Sequence, residues 1–180
     1  MKDVKLHDLI FEPFISVEEI NEVVDDIAKK IDNDYNGLNP VLIIVLNGAF
    51  IFAADLVRKI SVQLRLDFVK ISSYAGTQSS GQFMDHFSWK TPLNGEHVLI
   101  VEDIIDSGHT INYLKKKILS ENPASLETIC LLKKPDAYQY GDFIKYEGKS
   151  IPNDFVVGYG LDYDGLGRDL DCIYRKKTVE

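Results

Sequence analysis

Apolar residues along this chain alternate between two periods, one typical of buried β-strands and the other of amphipathic helices. Strand-length apolar segments, several of them rich in β-branched residues, occupy residues 41–46, 66–71, 97–101 and 126–132. Segments with helical spacing or length lie at about 17–31, 49–60 and 110–119. A continuous apolar run such as Val41–Leu46 is typical of a strand buried on both faces. The alternation predicts an α/β fold with a parallel sheet, right-handed crossovers and helices on both faces.

Local signals refine this pattern at a helix start and in one long connection. Ser16 is a favoured N-cap residue, and Glu19, three positions later, completes a capping box for the first helix. Residues 72–89 are rich in Ser, Gly and Gln and have little apolar periodicity, which predicts a long loop of the kind that often closes over a site. A short strand at 155–157 precedes a glycine-bearing turn at 162–169.

Composition narrows the class of protein. The 180 residues, of which 45% are hydrophobic and 27% charged, are typical of one globular domain spanning 1–180. The net charge of −8 disfavours broad, non-specific binding of nucleic acid. Cys130 and Cys172 have neither metal-ligand spacing nor a disulfide framework. Without a signal peptide or a membrane-length apolar segment, the expected location is the cytoplasm.

The segment with the most chemistry spans residues 98–110. Four apolar residues run directly into the adjacent carboxylates Glu102 and Asp103. Asp106 follows, then Ser107-Gly108-His109-Thr110, and then a helical pattern. Backbone N–H groups at such a turn and at the helix N-terminus bind anions, and open parallel sheets bind ligands at the carboxyl ends of their strands. The segment therefore predicts a phosphate site beside carboxylates that can bind hydroxyls, a metal ion or a proton.

This segment resembles the phosphoribosyl-pyrophosphate (PRPP) motif of the purine and pyrimidine phosphoribosyltransferases, an apolar strand with two acids followed by Asp-Ser/Thr-Gly-x-Thr. Other segments are similar, in chain order, to those of the hypoxanthine(-guanine) phosphoribosyltransferases: 45–49, 73–74, 131–135, and 155–163 with Arg168-Asp169. The resemblance covers roughly residues 8 to 175. It implies the type I fold, a Rossmann-like parallel sheet flanked by helices with a small hood from the N- and C-terminal segments.

The resemblance also implies a reaction in purine salvage. A 6-oxopurine, hypoxanthine and probably guanine, reacts at N9 with PRPP to give the nucleoside 5′-monophosphate and pyrophosphate, with Mg²⁺ required. The implied partners are these small-molecule substrates and further copies of the chain in a homodimer or homotetramer, with no nucleic acid and no membrane.

Residue roles follow from the same resemblance. Asp106 is the expected general base, acting at purine N7, although an aspartate here could also cap the following helix. The residues expected to bind PRPP and its 5′-phosphate are Glu102, Asp103, Asp106, Ser107, Gly108, His109 and Thr110. For His109 the alternative is a solvent-exposed residue at the helix start. The expected metal ligands are Glu102, Asp103 and Asp162.

The pyrophosphate and the purine have their own expected residues. Those for pyrophosphate are Asn47, Gly48, Ser73, Tyr74 and Arg168, and those for the purine are Lys134, Phe155, Val156 and Asp162. Asn47 departs from the Lys or Arg of many relatives, and the resemblance suggests a strained or cis peptide at Leu46–Asn47. Lys134 would donate to purine O6 and Phe155 would stack on the ring, with Lys133 and ordinary core packing as the respective alternatives.

Three rival functions remain open at this point. One is a xanthine- or guanine-preferring relative, because contacts to the purine 2-position come mostly from the backbone. Another is a regulator that senses PRPP without catalysis and binds nucleic acid. The acidic chain and its scattered lysines count against such a regulator. A third alternative is a generic nucleotide-binding α/β domain without catalysis. Asp106 and Lys134 count against it, because simple phosphate binding needs neither of them.

Overall fold

The structure, a computed structural model, describes residues 2–71, 89–141 and 144–178. Strands and helices alternate along much of these ranges, as the sequence predicts. In chain order the elements are β1 (Val4–Leu6), β2 (Leu9–Ile15), α1 (Val17–Asp34), β3 (Val41–Leu46), α2 (Phe50–Lys59), β4 (Arg65–Lys70), β5 (His97–Ile105), α3 (His109–Leu119), β6 (Ser125–Lys133), β7 (Tyr146–Ser150), β8 (Val156–Val157) and β9 (Ile173–Lys176).

A five-stranded parallel sheet forms the centre of the molecule, in the order β4-β3-β5-β6-β7. Buried residues of α1 and α2 pack with Leu42 and Leu99 on one face of this sheet. Buried residues of α3 pack with Ile43 and Ile100 on the other face. The predicted parallel sheet with helices on both faces is therefore confirmed, and its core strands are the continuous apolar runs.

The N- and C-terminal segments form a second, antiparallel sheet in the order β1-β2-β9-β8. It corresponds to the hood that the family resemblance implies. Its strands β1, β2 and β9, like β7 in the central sheet, were not predicted as strands from the hydrophobic pattern. β2 contains Pro13, which cannot donate a ladder hydrogen bond, and its pairing with β9 shifts between Pro13 and Ile15.

Strand β5 is longer than the apolar run predicts. The run ends at Val101, but pairing with β6 continues from Glu102 opposite Cys130 to Ile105 opposite Lys133. Glu102 and Asp103 therefore lie within a central strand rather than after it. Backbone hydrogen bonds extend the strand where the side chains have already become acidic, so hydrophobicity alone ends the prediction too early.

Helix boundaries also differ slightly from the prediction. The capping box of Ser16 and Glu19 is present, with Glu19 N–H donating to Ser16 Oγ over 3.2 Å, but α1 runs to Asp34 rather than Ile31. Both cysteines are free and buried. Within the described ranges, no helix combines the length and the apolar character that crossing a membrane requires.

Candidate active site

A pocket of about 220 Å³ opens beyond the carboxyl ends of β5 and β6. The side chains around it come from β5 and the turn after it, from the residue that follows β6, and from the segment 155–162. They are Asp103, Ile104, Asp106, Lys134, Phe155, Val156, Leu161 and Asp162. The structure thus brings together all four residues predicted for the purine and two of the acids predicted for PRPP.

Glu102 and Asp103 are adjacent buried acids on β5, 8% and 9% exposed, and Asp103 lines the pocket. Burial raises the pKa of Glu102 well above its usual value, and the neighbouring Asp103 raises it further. Burial likewise raises the pKa of Asp103 to about 6, against hydrogen bonds from the backbone and the charge of Arg168. A positive charge close to these two carboxyl groups, such as that of a metal cation, would favour their ionised forms.

The residues present fit a magnesium ion that arrives with its substrate. Among the described residues, no group of three or more His, Cys, Asp or Glu side chains could hold a metal ion by itself. Mg²⁺ usually binds through one or two carboxylates together with substrate phosphates and water, and Glu102 and Asp103 supply such a pair. Asp162, the third predicted ligand, instead pairs with Arg168 at 2.7 Å and accepts from Gly165 N–H at 2.8 Å.

The connection between β3 and α2 lies directly against Asp103. A Cβ atom built on Gly48 would lie 1.7 Å from Asp103 Oδ2, so only glycine allows this approach. On its other side, the Gly48 carbonyl oxygen lies 2.2 Å from the position of a Cβ on Gly160. The peptide bond Leu46–Asn47 is cis, as the resemblance suggests, and Asn47 is exposed.

The predicted phosphate loop leads from β5 into α3 through Gly108. Gly108 is the N-cap residue, with φ of +83°, and no side chain caps the helix. The alternative in which Asp106 caps this helix is therefore wrong. Asp106 Oδ2 instead accepts a hydrogen bond from Lys134 Nζ over 2.9 Å. His109 and Thr110 are the first two residues of α3, which places their backbone at the positive end of the helix dipole.

Lys134, rather than Lys133, lines the pocket. The Lys134 side chain is 9% exposed and its ammonium pairs with Asp106. Lys133 Nζ instead lies 3.0 Å from Glu147 Oε2 on β7. The two adjacent lysines therefore have different environments, because neighbouring side chains at the end of a strand point in different directions.

Phe155 is 41% exposed at the pocket, which distinguishes it from a core residue. Two aromatic rings hold it: Phe11 at 5.8 Å between centroids and Tyr163 at 5.5 Å, nearly perpendicular. Val156 is buried and pairs with Arg175 on β9. The second sheet therefore fixes the position of the aromatic ring beside Lys134 and Asp106.

Comparison with known proteins places this architecture in a family. The chain matches the model of the phosphoribosyl transferase domain over residues 16–164. It is 43% identical over 166 residues to the hypoxanthine-guanine phosphoribosyltransferase of Mycobacterium bovis, covering 88% of this chain and 82% of that protein. The chain belongs to the hypoxanthine-guanine phosphoribosyltransferases. The family resemblance of its sequence motifs is thereby confirmed.

Solved structures of such phosphoribosyltransferases have the same fold. A hypoxanthine-guanine phosphoribosyltransferase from Bacillus anthracis superimposes with a TM-score of 0.86 at 36% identity, covering 93% of this chain and 97% of that one. For the hypoxanthine phosphoribosyl transferase of Trypanosoma cruzi, the TM-score is 0.87 at 37% identity, with 97% and 95% covered. The predicted type I fold is confirmed.

Several predicted site residues of this phosphoribosyltransferase have no contact that tests their role. Arg168 donates to the Gly160 carbonyl oxygen over 2.6 Å and pairs with Asp162, so its contact with pyrophosphate stays a prediction. The same holds for Asn47. Ser73 and Tyr74 lie outside the described residues.

Sequence reasoning missed the aromatic residues that surround the site of this phosphoribosyltransferase. Phe11 and Tyr163 contact Phe155, while Tyr138 and Tyr140 pack against the phosphate loop at Gly108. Phe11, Tyr138 and Tyr140 each belong to a different segment from the residue they contact, and Tyr163 lies eight residues beyond Phe155. No local signal marks the contacts of Phe11, Tyr138 and Tyr140, because they depend on how distant segments fold together.

Proposed function

We propose that this phosphoribosyltransferase transfers the 5-phosphoribosyl group of PRPP to N9 of hypoxanthine, and of guanine, in purine salvage. The observation that carries this proposal is the pairing of Lys134 with Asp106 in one pocket, which the partly exposed ring of Phe155 also lines. A donor for O6, a base for N7 and a stacking ring are thus available within one purine-sized space. The relatives named hypoxanthine-guanine phosphoribosyltransferase support the same substrates.

The reaction joins N9 of the purine to C1′ of the ribose and breaks the bond from C1′ to the pyrophosphate oxygen. The electron pair of that bond leaves with pyrophosphate, so positive charge develops on the ribose ring. The purine, protonated at N7, loses that proton to Asp106 as N9 bonds to C1′. Among the described contacts, Asp106 accepts a hydrogen bond from Lys134. When the carboxylate takes up the N7 proton, the Lys134 ammonium group can turn to donate to purine O6.

Lys134 gives the pocket its selectivity for a 6-oxo group. An ammonium group can only donate hydrogen bonds, and a 6-amino group on the purine would present another donor to it. Because Lys134 is buried, water cannot easily reach the two facing donors, and leaving them without an acceptor costs binding free energy. Hypoxanthine and guanine share the 6-oxo group, whereas adenine does not have it.

The buried acids Glu102 and Asp103 support the other half of the reaction. We propose that they orient the ribose hydroxyls of PRPP and hold Mg²⁺, which would neutralise charge on the pyrophosphate when bound. Their negative field also stabilises positive charge on the ribose in the transition state. The backbone N–H groups from Ser107 to Thr110 would bind the 5′-phosphate at the start of α3.

A spectrophotometric assay with PRPP and Mg²⁺ tests the proposal. Hypoxanthine, guanine, xanthine and adenine are offered in turn to the purified protein. Turnover of hypoxanthine without turnover of adenine is expected, and the variant Asp106→Asn should retain PRPP binding but lose most turnover. Binding of PRPP without turnover of any base would overturn the enzymatic function, and turnover of xanthine above hypoxanthine would overturn the substrate assignment.

We also propose that the chain acts in the cytoplasm as a homodimer or homotetramer. The free thiols of Cys130 and Cys172 suit the reducing compartment that this location implies.

The proposed assembly rests on exposed apolar surface. Two large aromatic side chains, Phe50 on α2 and Phe68 on β4, are 45% and 51% exposed, as is common at subunit interfaces. Sedimentation velocity at several concentrations distinguishes a monomer from these assemblies.

A further inference from the structure

The connection after β6, which begins with Lys134, packs along the proposed phosphate loop. Gln139 N–H donates to the Ser107 carbonyl oxygen over 3.2 Å. The rings of Tyr138 and Tyr140 lie so close to Gly108 that a Cβ there would be 2.4 Å and 3.0 Å from them. Residues 134–140 therefore contact the phosphate loop at several successive positions, and each contact comes from a different residue.

One of these contacts involves a polar side chain of the loop itself. The Tyr140 hydroxyl lies 2.6 Å from His109 Nδ1, and the two rings meet edge-on with centroids 5.6 Å apart. His109 is the first residue of α3, beside the backbone N–H groups expected to bind the 5′-phosphate. His109 is exposed, and among the described residues the contacts given for its ring are those with Tyr140.

The direction of this hydrogen bond decides what the imidazole can offer to a phosphate. A neutral histidine has one donor nitrogen and one acceptor nitrogen. When the tyrosine O–H donates to Nδ1, the proton of the imidazole is on Nε2, which then is a donor. The opposite arrangement would leave a lone pair on Nε2, which repels an anion, so a phosphate beside His109 favours the first arrangement.

We propose that Tyr140 is a positioning residue for the 5′-phosphate site. Its hydroxyl holds the His109 ring in the tautomer that carries a proton on Nε2, and so keeps this nitrogen ready to donate to the 5′-phosphate of PRPP and of the nucleotide product. The proposal rests on the proposed function, because it takes the loop 106–110 as the phosphate site. The proposal gives the exposed side chain of His109 a role at the start of α3, as a hydrogen-bond donor to the 5′-phosphate.

The variant Tyr140→Phe removes the hydroxyl and keeps the ring over Gly108. We expect its KM for PRPP to rise about three- to tenfold, as for the loss of one hydrogen bond, with kcat within twofold of the parent. The matched control is Tyr138→Phe, which loses a hydroxyl that donates to the Gly141 carbonyl oxygen and leaves His109 Nδ1 its partner. Its KM for PRPP should change less than twofold.

A double-mutant cycle separates positioning from general stability. If Tyr140 acts through His109, Tyr140→Phe added to His109→Ala should raise the KM for PRPP no further than His109→Ala alone. Additive effects, an unchanged KM in Tyr140→Phe, or an equal effect in Tyr138→Phe would each overturn the proposal.

Nitrogen-15 NMR of the histidine ring provides a readout that does not depend on turnover. The His109 signals, assigned by comparison with His109→Ala, should show the Nε2-protonated tautomer in the parent and a mixture of tautomers in Tyr140→Phe. Addition of PRPP should shift the His109 signals in the parent. If PRPP shifts them but no base is turned over, the proposed function fails and the positioning role stands. The same mixture of tautomers in both proteins would overturn the role of Tyr140.

Discussion

Gly48→Ala should disable the site by displacing the carboxylate of Asp103. The added methyl group would lie 1.7 Å from Oδ2 and 2.6 Å from Cγ of Asp103, far inside contact distance. The carboxylate cannot simply turn away, because its Oδ1 accepts a hydrogen bond from Ile104 N–H over 2.8 Å and the whole group is buried. Either the acid or the β3–α2 connection has to move.

The expected magnitudes follow from this crowding. Forcing an extra methyl into a packed region costs typically about 1–3 kcal/mol of unfolding free energy. A displacement of about 1 Å in a group that orients substrate lowers activity by about 10²-fold. We therefore expect kcat/KM for PRPP to fall about 10²-fold in Gly48→Ala while the protein remains folded. The assay is initial-rate turnover of hypoxanthine with varied PRPP, beside urea unfolding of the same preparation.

A control with a similar loss of stability is needed to interpret this result. Ile31→Val removes one methylene from a fully buried side chain near the end of α1 and should cost about 1 kcal/mol. Tyr35, the C-cap residue of α1, contacts His97 at the first position of β5, so this end of α1 lies at the opposite end of the sheet from the pocket. Ile31→Val should keep its kcat/KM. A Gly48→Ala protein with parental kcat/KM would refute the reasoning.

Three further changes have different signatures. Lys134→Ala should lower kcat/KM for hypoxanthine by about 10²-fold, whereas Lys133→Ala should change it less than threefold, because only Lys134 lines the pocket. Asp103→Asn should raise the free energy of unfolding at pH 8 and not at pH 4. The folded-state pKa of about 6 exceeds the ordinary 3.8, so ionisation of this buried acid destabilises the fold as pH rises through that window. Ser16→Ala, which removes the α1 cap, should cost about 1 kcal/mol in urea unfolding at unchanged kcat.

Each of these changes has an outcome that contradicts its basis. Equal losses in both lysine variants would mean that Lys134 acts through the fold rather than through the purine. For Asp103, the rise in pKa from 3.8 to about 6 means that ionisation of the buried carboxyl group lowers the free energy of unfolding by roughly 3 kcal/mol at high pH. An Asp103→Asn variant whose stability follows the parent at both pH values would show that the acid is not buried in solution. A Ser16→Ala variant as stable as the parent would show that the cap contributes nothing.

The sequence predicts best those strands whose own residues are nearly all apolar because both of their faces are buried. β3, β5 and β6 lie inside the central sheet and are covered on both faces, so their residues form nearly continuous apolar runs. The hood strands β1, β2 and β9 are different, because each combines buried or half-buried residues with exposed ones and none is a continuous apolar run. β9 pairs with β8 and with β2, and β2 is more than 150 residues away in the chain.

The same distinction separates the predicted from the missed parts of the site. The acids, the phosphate loop and Lys134 lie in short segments whose order alone indicates their chemistry, and the structure brings Asp103, Asp106 and Lys134 to one pocket. The contact between Tyr140 and His109 depends instead on the path of the connection after β6. Nothing in the local sequence around either residue predicts that path.

Gly48 shows why the position of Asp103 cannot be derived from the motif that contains it. Its backbone lies between the carboxylate of Asp103 and the backbone at Gly160, so three segments meet within a few ångströms. Tyr159, adjacent to Gly160, donates to Asp55 Oδ2 on α2 over 2.6 Å and so fixes the helix that begins just after Gly48. Asp103 lies on β5, but α2 and the 155–163 segment both contact the β3–α2 connection that packs against its carboxylate. A substitution in either segment should alter PRPP binding without touching the PRPP motif itself.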